Sequence, residues 1–333
     1  MRLKILVLGI VLAAVAAAQN VDRVFHFANT STPQGRQQVS GVIQQMTLIG
    51  GVSIDNSANV LALSGTTGQI ALAEWLFNEV DKPAGAAQPT PQEFRVPGSN
   101  DEVVRVFSLA NVQTPQALQE IVNMIRSLVE MRYVGAVTGP RVIAIRGTNN
   151  ESAATEWLIG QLDRPVDKPN SGVRDFRMAG TVPASTFATR VFYVKNAQTP
   201  QALQEMINAL RSITEIMRVV AYNPLKAIAL RATADQAAAA EWLINELDKP
   251  TGVQSSGASP TFQLAGVRDG VARVFYPART DTPQALQEVV NLVRATTNVQ
   301  RAVGVNANKA LVMRGSADQV ARTDQLLTER AKQ

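Results

Sequence analysis

The seven residues TPQALQE occur three times in this chain, at 114–120, 199–205 and 282–288, and Thr32-Pro33 stands in the same place once more. An Arg-Val-Phe tripeptide begins nine residues before each Thr-Pro, and its copies at 23, 105, 190 and 273 are 82, 85 and 83 residues apart. Glu-Trp-Leu recurs at 74–76, 156–158 and 241–243 with the same steps of 82 and 85 residues. Because these independent motifs recur with the same spacing, the sequence predicts four tandem copies of a single structural unit.

Each of these four Thr-Pro pairs is predicted to begin a helix. Thr114 can cap the helix, because its hydroxyl accepts a hydrogen bond from a free backbone N–H, and Pro115 suits the first helical position. Apolar residues then follow at helical spacing and form one buried stripe: Leu118, Ile121, Val122, Ile125 and Leu128. The β-branched and aromatic residues around each Arg-Val-Phe predict a strand before this helix.

A hairpin and a second helix are predicted to complete each unit. In the third unit two β-rich runs flank the turn signal Asn223-Pro224, and the helix that follows ends at Asp248-Lys249-Pro250, since proline cannot continue a helix. The order βαββα describes a two-layer α+β module. The repeat places the four modules over residues 22–83, 92–165, 174–250 and 260–333.

The linkers between modules are rich in Pro, Gly, Ser and Ala, yet each contains a short alternating segment. These segments are EFRVPG (93–98), DFRMAG (175–180) and TFQLAG (261–266). Alternation with a period of two is typical of a strand. We expect an extra strand in each linker that joins the sheet of the module that follows.

The first 18 residues read as an export signal. Arg2 and Lys4 form a short positive region, an apolar run extends from Ile5 to Val15, and Ala16-Ala17-Ala18 has the small side chains that signal peptidase needs. The apolar run is shorter than the ~20 residues that span a bilayer. We expect cleavage after Ala18 and a mature chain that begins outside the cytoplasm with no transmembrane segment; an uncleaved membrane anchor is the alternative.

Composition narrows the classes of function. The chain has no cysteine and one histidine, His26, which excludes thiol chemistry, disulfides and the common zinc sites. The formal net charge of +5 comes from basic residues spread along the chain, so we expect no nucleic-acid partner. Since no catalytic motif is present either, we expect no enzyme activity, no cofactor and no metal; His26 is predicted to be a half-buried strand residue.

Two repeated residue types are candidates for contacts between modules or with partners. Tryptophan occurs only in the modules that another module follows, as Trp75, Trp157 and Trp242. Each either packs on the linker or the next module, or belongs to the core of its own module. An arginine closes the second strand of the hairpin in the last three modules, as Arg146, Arg231 and Arg314. These arginines form either a polar stripe for a partner or simple exposed strand ends.

The module resembles the N-terminal repeat domains of bacterial secretins, the NolW-like or short secretin/TonB N-terminal domain. The resemblance is carried by the strand that ends in Asn111 or Asn196, the helix ALQEIVNMIRSL (117–128), the Arg-Gly-Thr or similar at the hairpin end, and the Leu-Asp after the second helix. It implies a KH-like βαββα fold, a periplasmic location and packing of subunits into rings. The fourth module is followed by no segment for a secretin gate and barrel, which favours an accessory or scaffold over the channel itself.

The expected function is therefore that of an exported periplasmic scaffold or interaction protein. It would assemble with itself, for example as a ring near the outer membrane, or dock on a protein secretion machine such as type II secretion or a type IV pilus. The alternative is an independent exported protein that binds a peptide or a cell-wall ligand.

Overall fold

The computed structural model describes residues 20–83, 85–86, 90–99, 101–166, 172–177, 187–250, 257–266 and 269–332. The first module consists of β1 (Asn20–His26), α1 (Pro33–Thr47), β2 (Gly51–Asp55), β3 (Val60–Thr66) and α2 (Thr67–Val80). The second consists of β4 (Gln92–Arg95), β5 (Glu102–Ser108), α3 (Pro115–Met124) with a π-helical last turn (Ile125–Val129), β6 (Tyr133–Val137), β7 (Val142–Thr148) and α4 (Asn149–Leu162).

The last two modules repeat this order. The third consists of β8 (Val173–Phe176), β9 (Phe187–Tyr193), α5 (Pro200–Thr214), β10 (Arg218–Tyr222), β11 (Ala227–Thr233) and α6 (Ala234–Leu247). The fourth consists of β12 (Gly257–Ala258), β13 (Phe262–Gln263), β14 (Val271–Tyr276), α7 (Pro283–Thr297), β15 (Arg301–Val305), β16 (Ala310–Gly315) and α8 (Ala317–Lys332). The export signal predicted for residues 1–18, and residues 178–180 of the second alternating segment, lie outside the described residues.

Every module has the same sheet order. In the first module β3 lies between β1 and β2, and in the second module β7 lies between β5 and β6, with all neighbours antiparallel. The last two modules have the same order. The strands predicted in the linkers become outer strands of the following sheets: β4 pairs with β5, β8 with β9, and β12 and β13 with β14. The predicted α+β class, four βαββα modules with an extra strand in each linker, is confirmed.

Helix starts are fixed by local side chains. The hydroxyl of Thr114 accepts a hydrogen bond from the N–H of Ala117 at 3.1 Å, and the threonines that begin α1, α5 and α7 do the same. At the start of α4, Thr148 and Glu151 each accept a hydrogen bond from the other's backbone N–H. Such caps each stabilise a helix by about 1 kcal/mol, so the sequence determines these boundaries without help from distant residues.

An Asn–Asp pair ties the end of the second helix to the end of the first strand. The Asp163 carboxylate accepts hydrogen bonds from the N–H groups of Ala110 (2.8 Å) and Asn111 (2.6 Å), and the Asn111 side chain donates to the Asp163 carbonyl. Asp81 and Asp248 make the same contacts with the first and third modules' strand ends. The recurring Asn and Leu-Asp of the sequence are therefore two halves of one structural contact.

The helices of one module also pack on the sheet of the next. One hydrophobic cluster joins Ile43 of α1 to Val106 and Ala144 of the second sheet. Two further clusters make the corresponding connection, joining Leu128 to Val191 and Leu210 to Val274. Each of the first three helix pairs thus lies between two sheets, and three of the four cores are shared by consecutive modules.

The first sheet lacks such a covering among the described residues. Val24 of β1 is 55% exposed, whereas its equivalents Val106, Val191 and Val274 are at most 3% exposed. His26, two residues later on the same face, is exposed as well. The prediction of a half-buried His26 is wrong, because no helix pair covers this face. None of the helices in the described part of the chain is long and apolar enough to cross a bilayer.

Candidate interaction site at the module junctions

The three repeated arginines lie where consecutive modules meet, a region called the junction below. Each donates a hydrogen bond from Nη1 to a backbone carbonyl in the last turn of the preceding module's first helix: Arg146 to Met46 (2.8 Å), Arg231 to Leu128 (3.3 Å) and Arg314 to Ile213 (2.7 Å). The last carbonyls of a helix lack intrahelical partners and carry the negative end of its dipole. A guanidinium is therefore well matched to this position.

A glutamate completes the last junction. Glu215 follows α5 in the left-handed conformation, with φ of 59°, and its carboxylate lies 2.7 Å from Arg314 and 2.5 Å from Arg301. Arg301 also donates to the carbonyl of Ser212 at 2.8 Å. Arg301 and Arg314 are directly opposite each other on neighbouring strands, so a single carboxylate between them removes the repulsion of two like charges.

The middle junction repeats this arrangement. Glu130, with φ of 65°, contacts both Arg218 and Arg231, which are again opposite each other in the sheet. The hydrogen bond from Arg218 holds the pKa of Glu130 below its ordinary value of 4.5, against the opposing effect of burial. The hydrogen bond from Arg314 likewise lowers the pKa of Glu215. Both carboxylates are thus favoured in the charged form that the arginines need.

The first junction uses different residues. Leu48 stands at the end of α1 where the other junctions have glutamate, and Tyr133 stands opposite Arg146 where they have a second arginine. Arg146 instead pairs with Glu102 of its own module at 2.7 Å. The acid and the second arginine are therefore absent together, so neither is left without its partner at this junction.

The tryptophans contact the linker strands of the next module. Each lies half-buried on a second helix, with its ring beside a phenylalanine ring: Trp75 to Phe94 (5.5 Å between centroids), Trp157 to Phe176 (5.4 Å) and Trp242 to Phe262 (5.1 Å). Each also packs against the cluster shared by its own module and the next. These rings fix the linker strand over the helix.

A second polar contact joins the first helix to the next hairpin. The last residue of TPQALQE, Glu120, accepts hydrogen bonds from the backbone (3.0 Å) and the side chain (2.8 Å) of Asn223. Glu205 accepts in the same way from Asn306 and Ala307. The repeated heptapeptide thus serves two purposes, since Thr-Pro begins the helix and the glutamate holds the turn of the following module.

Both ends of the described chain lack these junction residues. On the first sheet Ser64 and Gly51 stand where the arginine pair would be. In the last module, Asn298 at the end of α7 replaces the glutamate, and Gln325 of α8 replaces the tryptophan. Repeat arrays commonly become polar where no neighbour covers them, and here the acid, the arginines and the aromatic ring are all replaced.

Sequence reasoning found the arginines and tryptophans but missed Glu130, Glu215, Arg218 and Arg301. A signal for them was present, since the two glutamates are 85 residues apart and the two arginines 83, the same steps as the repeat. Within the described ranges no group of three or more His, Cys, Asp or Glu side chains could hold a metal ion. The arrangement is one of ion pairs, helix ends and aromatic contacts between modules.

Comparison with solved structures gives several similar chains. ExeD from Aeromonas hydrophila is 18% identical over 69% of this chain, with a TM-score of 0.17, and this chain spans 41% of its length. The N-terminal domain of the secretin XcpQ from Pseudomonas aeruginosa is 16% identical, with 69% of this chain and 100% of that domain covered and a TM-score of 0.25. Dim2p from Pyrococcus horikoshii is 11% identical, with 43% and 91% covered and a TM-score of 0.24. No protein-family model and no curated protein matches the sequence.

Proposed function

We propose that this chain is an exported periplasmic scaffold or interaction protein of secretin-like modules, without enzyme activity. Its role is to assemble with copies of itself or to dock on a secretion or type IV pilus machine. The sequence resemblance of the modules to secretin N-terminal domains suggests the kind of machine.

The observation that carries this proposal is the repeated junction. Ion pairs such as Arg314–Glu215 and ring contacts such as Trp157–Phe176 hold each module against the next. Repeats held in this way present equivalent strands at a regular spacing, and in the described chain β2, β6, β10 and β15 each pair on one side only. A partner that contacts several modules at once would gain affinity from each contact.

The oligomeric state of the mature chain, residues 19–333, tests the assembly role. Mass photometry from nanomolar to micromolar concentration, followed by co-purification from its own cells, should give a defined oligomer or a complex with components of an envelope machine. A monomer that co-purifies only with cell-wall material would support the alternative ligand-binding protein and contradict this proposal.

Export has a separate test. Cell fractionation should find the protein in the periplasm, and sequencing of its N-terminus should begin at Gln19. A cytoplasmic protein that retains Met1 would contradict the periplasmic role, whatever its oligomeric state.

A further inference from the structure

The first module differs from the others at one sheet edge. In the other three modules a linker strand pairs with the outer edge of the first strand, whereas within the described residues β1 pairs with β3 alone. The N–H of Phe27 donates to the Asn59 carbonyl on the β3 side. Because the backbone direction alternates along a strand, the N–H and C=O groups of Asp22 and Val24 point to the other edge. The equivalent Val274 uses both of its groups to bond Ser259 of the linker.

Arg23 lacks the linker contact that its three equivalents have, which is a carboxylate for Arg105 and Arg190 and the Ser259 carbonyl for Arg273. Arg105 lies between Glu156 of its own helix (2.8 Å) and Glu93 of the linker strand (2.7 Å). Arg190 lies likewise between Glu241 and Asp175 of the linker strand, at 3.1 and 2.9 Å. Among the described residues Arg23 has one carboxylate partner, Glu74 of the helix, at 3.8 Å, and its side chain is 55% exposed against 21% for Arg105. Arg23 therefore has no counterpart of the carboxylate that the linker strand supplies in the second and third modules.

We propose that the free edge of β1 is a binding site for an extended peptide of another protein, which pairs antiparallel and places an acidic residue opposite Arg23. The register follows from the pairs Glu93–Arg105 and Asp175–Arg190. Strand addition of this kind draws its affinity from main-chain hydrogen bonds and its specificity from alternate side chains. The site lies in the first module, apart from the three junctions, and it binds its peptide whether or not the protein forms larger assemblies.

The neighbouring pairs define the rest of the peptide. The residue after the acid lies opposite Asp22, where the internal copies place Phe94 opposite Val104 and Phe262 opposite Ala272. Since Asp22 is charged, a basic residue is favoured there. The residue before the acid lies opposite the exposed Val24, which favours a β-branched side chain. The ligand is thus an extended segment with an apolar, an acidic and a basic residue in succession.

Fluorescence anisotropy with residues 19–333 and an eight-residue peptide containing Val-Glu-Lys tests this site. Exchange of the peptide's Glu and Lys should weaken binding about tenfold, because two attractive cross-strand pairs become repulsive. N-methylation at the peptide Val or Lys should abolish binding, since these residues face the hydrogen-bonding groups of Val24 and Asp22. N-methylation at the peptide Glu is the matched control and should leave binding unchanged.

A charge-reversed protein provides the reciprocal test. The double variant Asp22→Lys/Arg23→Glu should prefer the exchanged peptide while it still folds, with a cooperative thermal transition. In the free wild-type chain the amides of Asp22 and Val24 should exchange hydrogen quickly, and bound peptide should slow them. Equal affinity for both peptides, no effect of methylation, no binding at all, or protection of these amides in the free chain would each overturn the proposal.

Discussion

Arg314 shows how one side chain can join two modules. It is buried, and its guanidinium bonds both the Ile213 carbonyl and the Glu215 carboxylate of the preceding module. Substitution by alanine leaves the Ile213 carbonyl without this donor and the Glu215 carboxylate with Arg301 alone, which should lower the free energy of unfolding by about 2 kcal/mol. Chemical denaturation of the whole chain measures this loss.

A second arginine serves as the control for that substitution. Arg322 lies on the uncovered side of α8 and is exposed, so Arg322→Ala should change the stability by less than about 0.5 kcal/mol. Equal losses for the two variants would mean that the junction contact contributes nothing beyond an ordinary surface arginine.

The carboxylates at the same junctions make stability depend on pH. Because the pKa of Glu215 is below its ordinary value of 4.5 in the folded chain, its contribution is complete above that value and is lost as the pH falls through the lowered pKa. We therefore expect Glu215→Gln to lower the melting temperature at pH 7, and the difference from wild type to shrink below about pH 4.5. Thermal melts from pH 3 to pH 7 test this.

The partner arginine gives an internal check on the pH prediction. In an Arg314→Ala background the same Glu215→Gln change should have a smaller effect at pH 7, because the hydrogen bond that lowers the pKa is already gone. A difference between wild type and Glu215→Gln that is constant over the whole pH range would show that the ion pair does not stabilise the junction.

At the scale of the element, the linker strand and the helix beneath it are held by one aromatic pair. Trp157→Ala should destabilise the chain by about 2 kcal/mol, less than for a fully buried ring. Phe176→Ala should cost a similar amount, and the double variant should cost less than the sum by about 1 kcal/mol, the usual coupling of an aromatic pair. If the two losses of stability were additive, each ring would stabilise the chain through its other neighbours and not through the contact between Trp157 and Phe176.

The elements themselves were predictable because their signals are local. Thr-Pro begins the first helix of every module, because it is followed there by an apolar stripe at helical spacing, and the alternation in EFRVPG indicates a strand. The second buried side of each first helix was not predictable. Its residues at one equivalent position are Val42, Met124 and Ala209, all buried, whereas Leu292 in the last module is 41% exposed. Because these residues differ in size, and an apolar residue stands there even in the last module, the sequence does not show that this side of the helix is covered.

Some of the junction contacts could have been predicted from the sequence. A strand arginine such as Arg231 carries no local sign of its partner Glu130, which is 101 residues away. The spacing of the repeat does indicate the partner. The glutamate and the second arginine both occur at the last two junctions, and both are missing from the first. Reading replacements jointly across copies would have found the pair.

At the scale of the whole molecule, shared cores make the stability of each module depend on its neighbours. In repeat proteins the energies of such interfaces decide whether unfolding spreads along the array or stops at one boundary. Val191 and Ala229 of the third sheet belong to the cluster of the second module, and the other junctions have corresponding residues. We therefore expect calorimetry of residues 19–333 to show one cooperative transition.

A charge placed in one shared core should divide that transition. Ala229 is fully buried beneath the second module's helices, so Ala229→Asp would place an unpaired carboxylate in an apolar interior, at a cost of several kcal/mol. The first two modules and the last two should then unfold separately. Ala62, the equivalent residue on the uncovered first sheet, is only half-buried, and Ala62→Asp should keep a single transition. If both variants behaved alike, or if the wild-type chain already melted in separate steps, the modules would be independent units and the shared cores would not couple them.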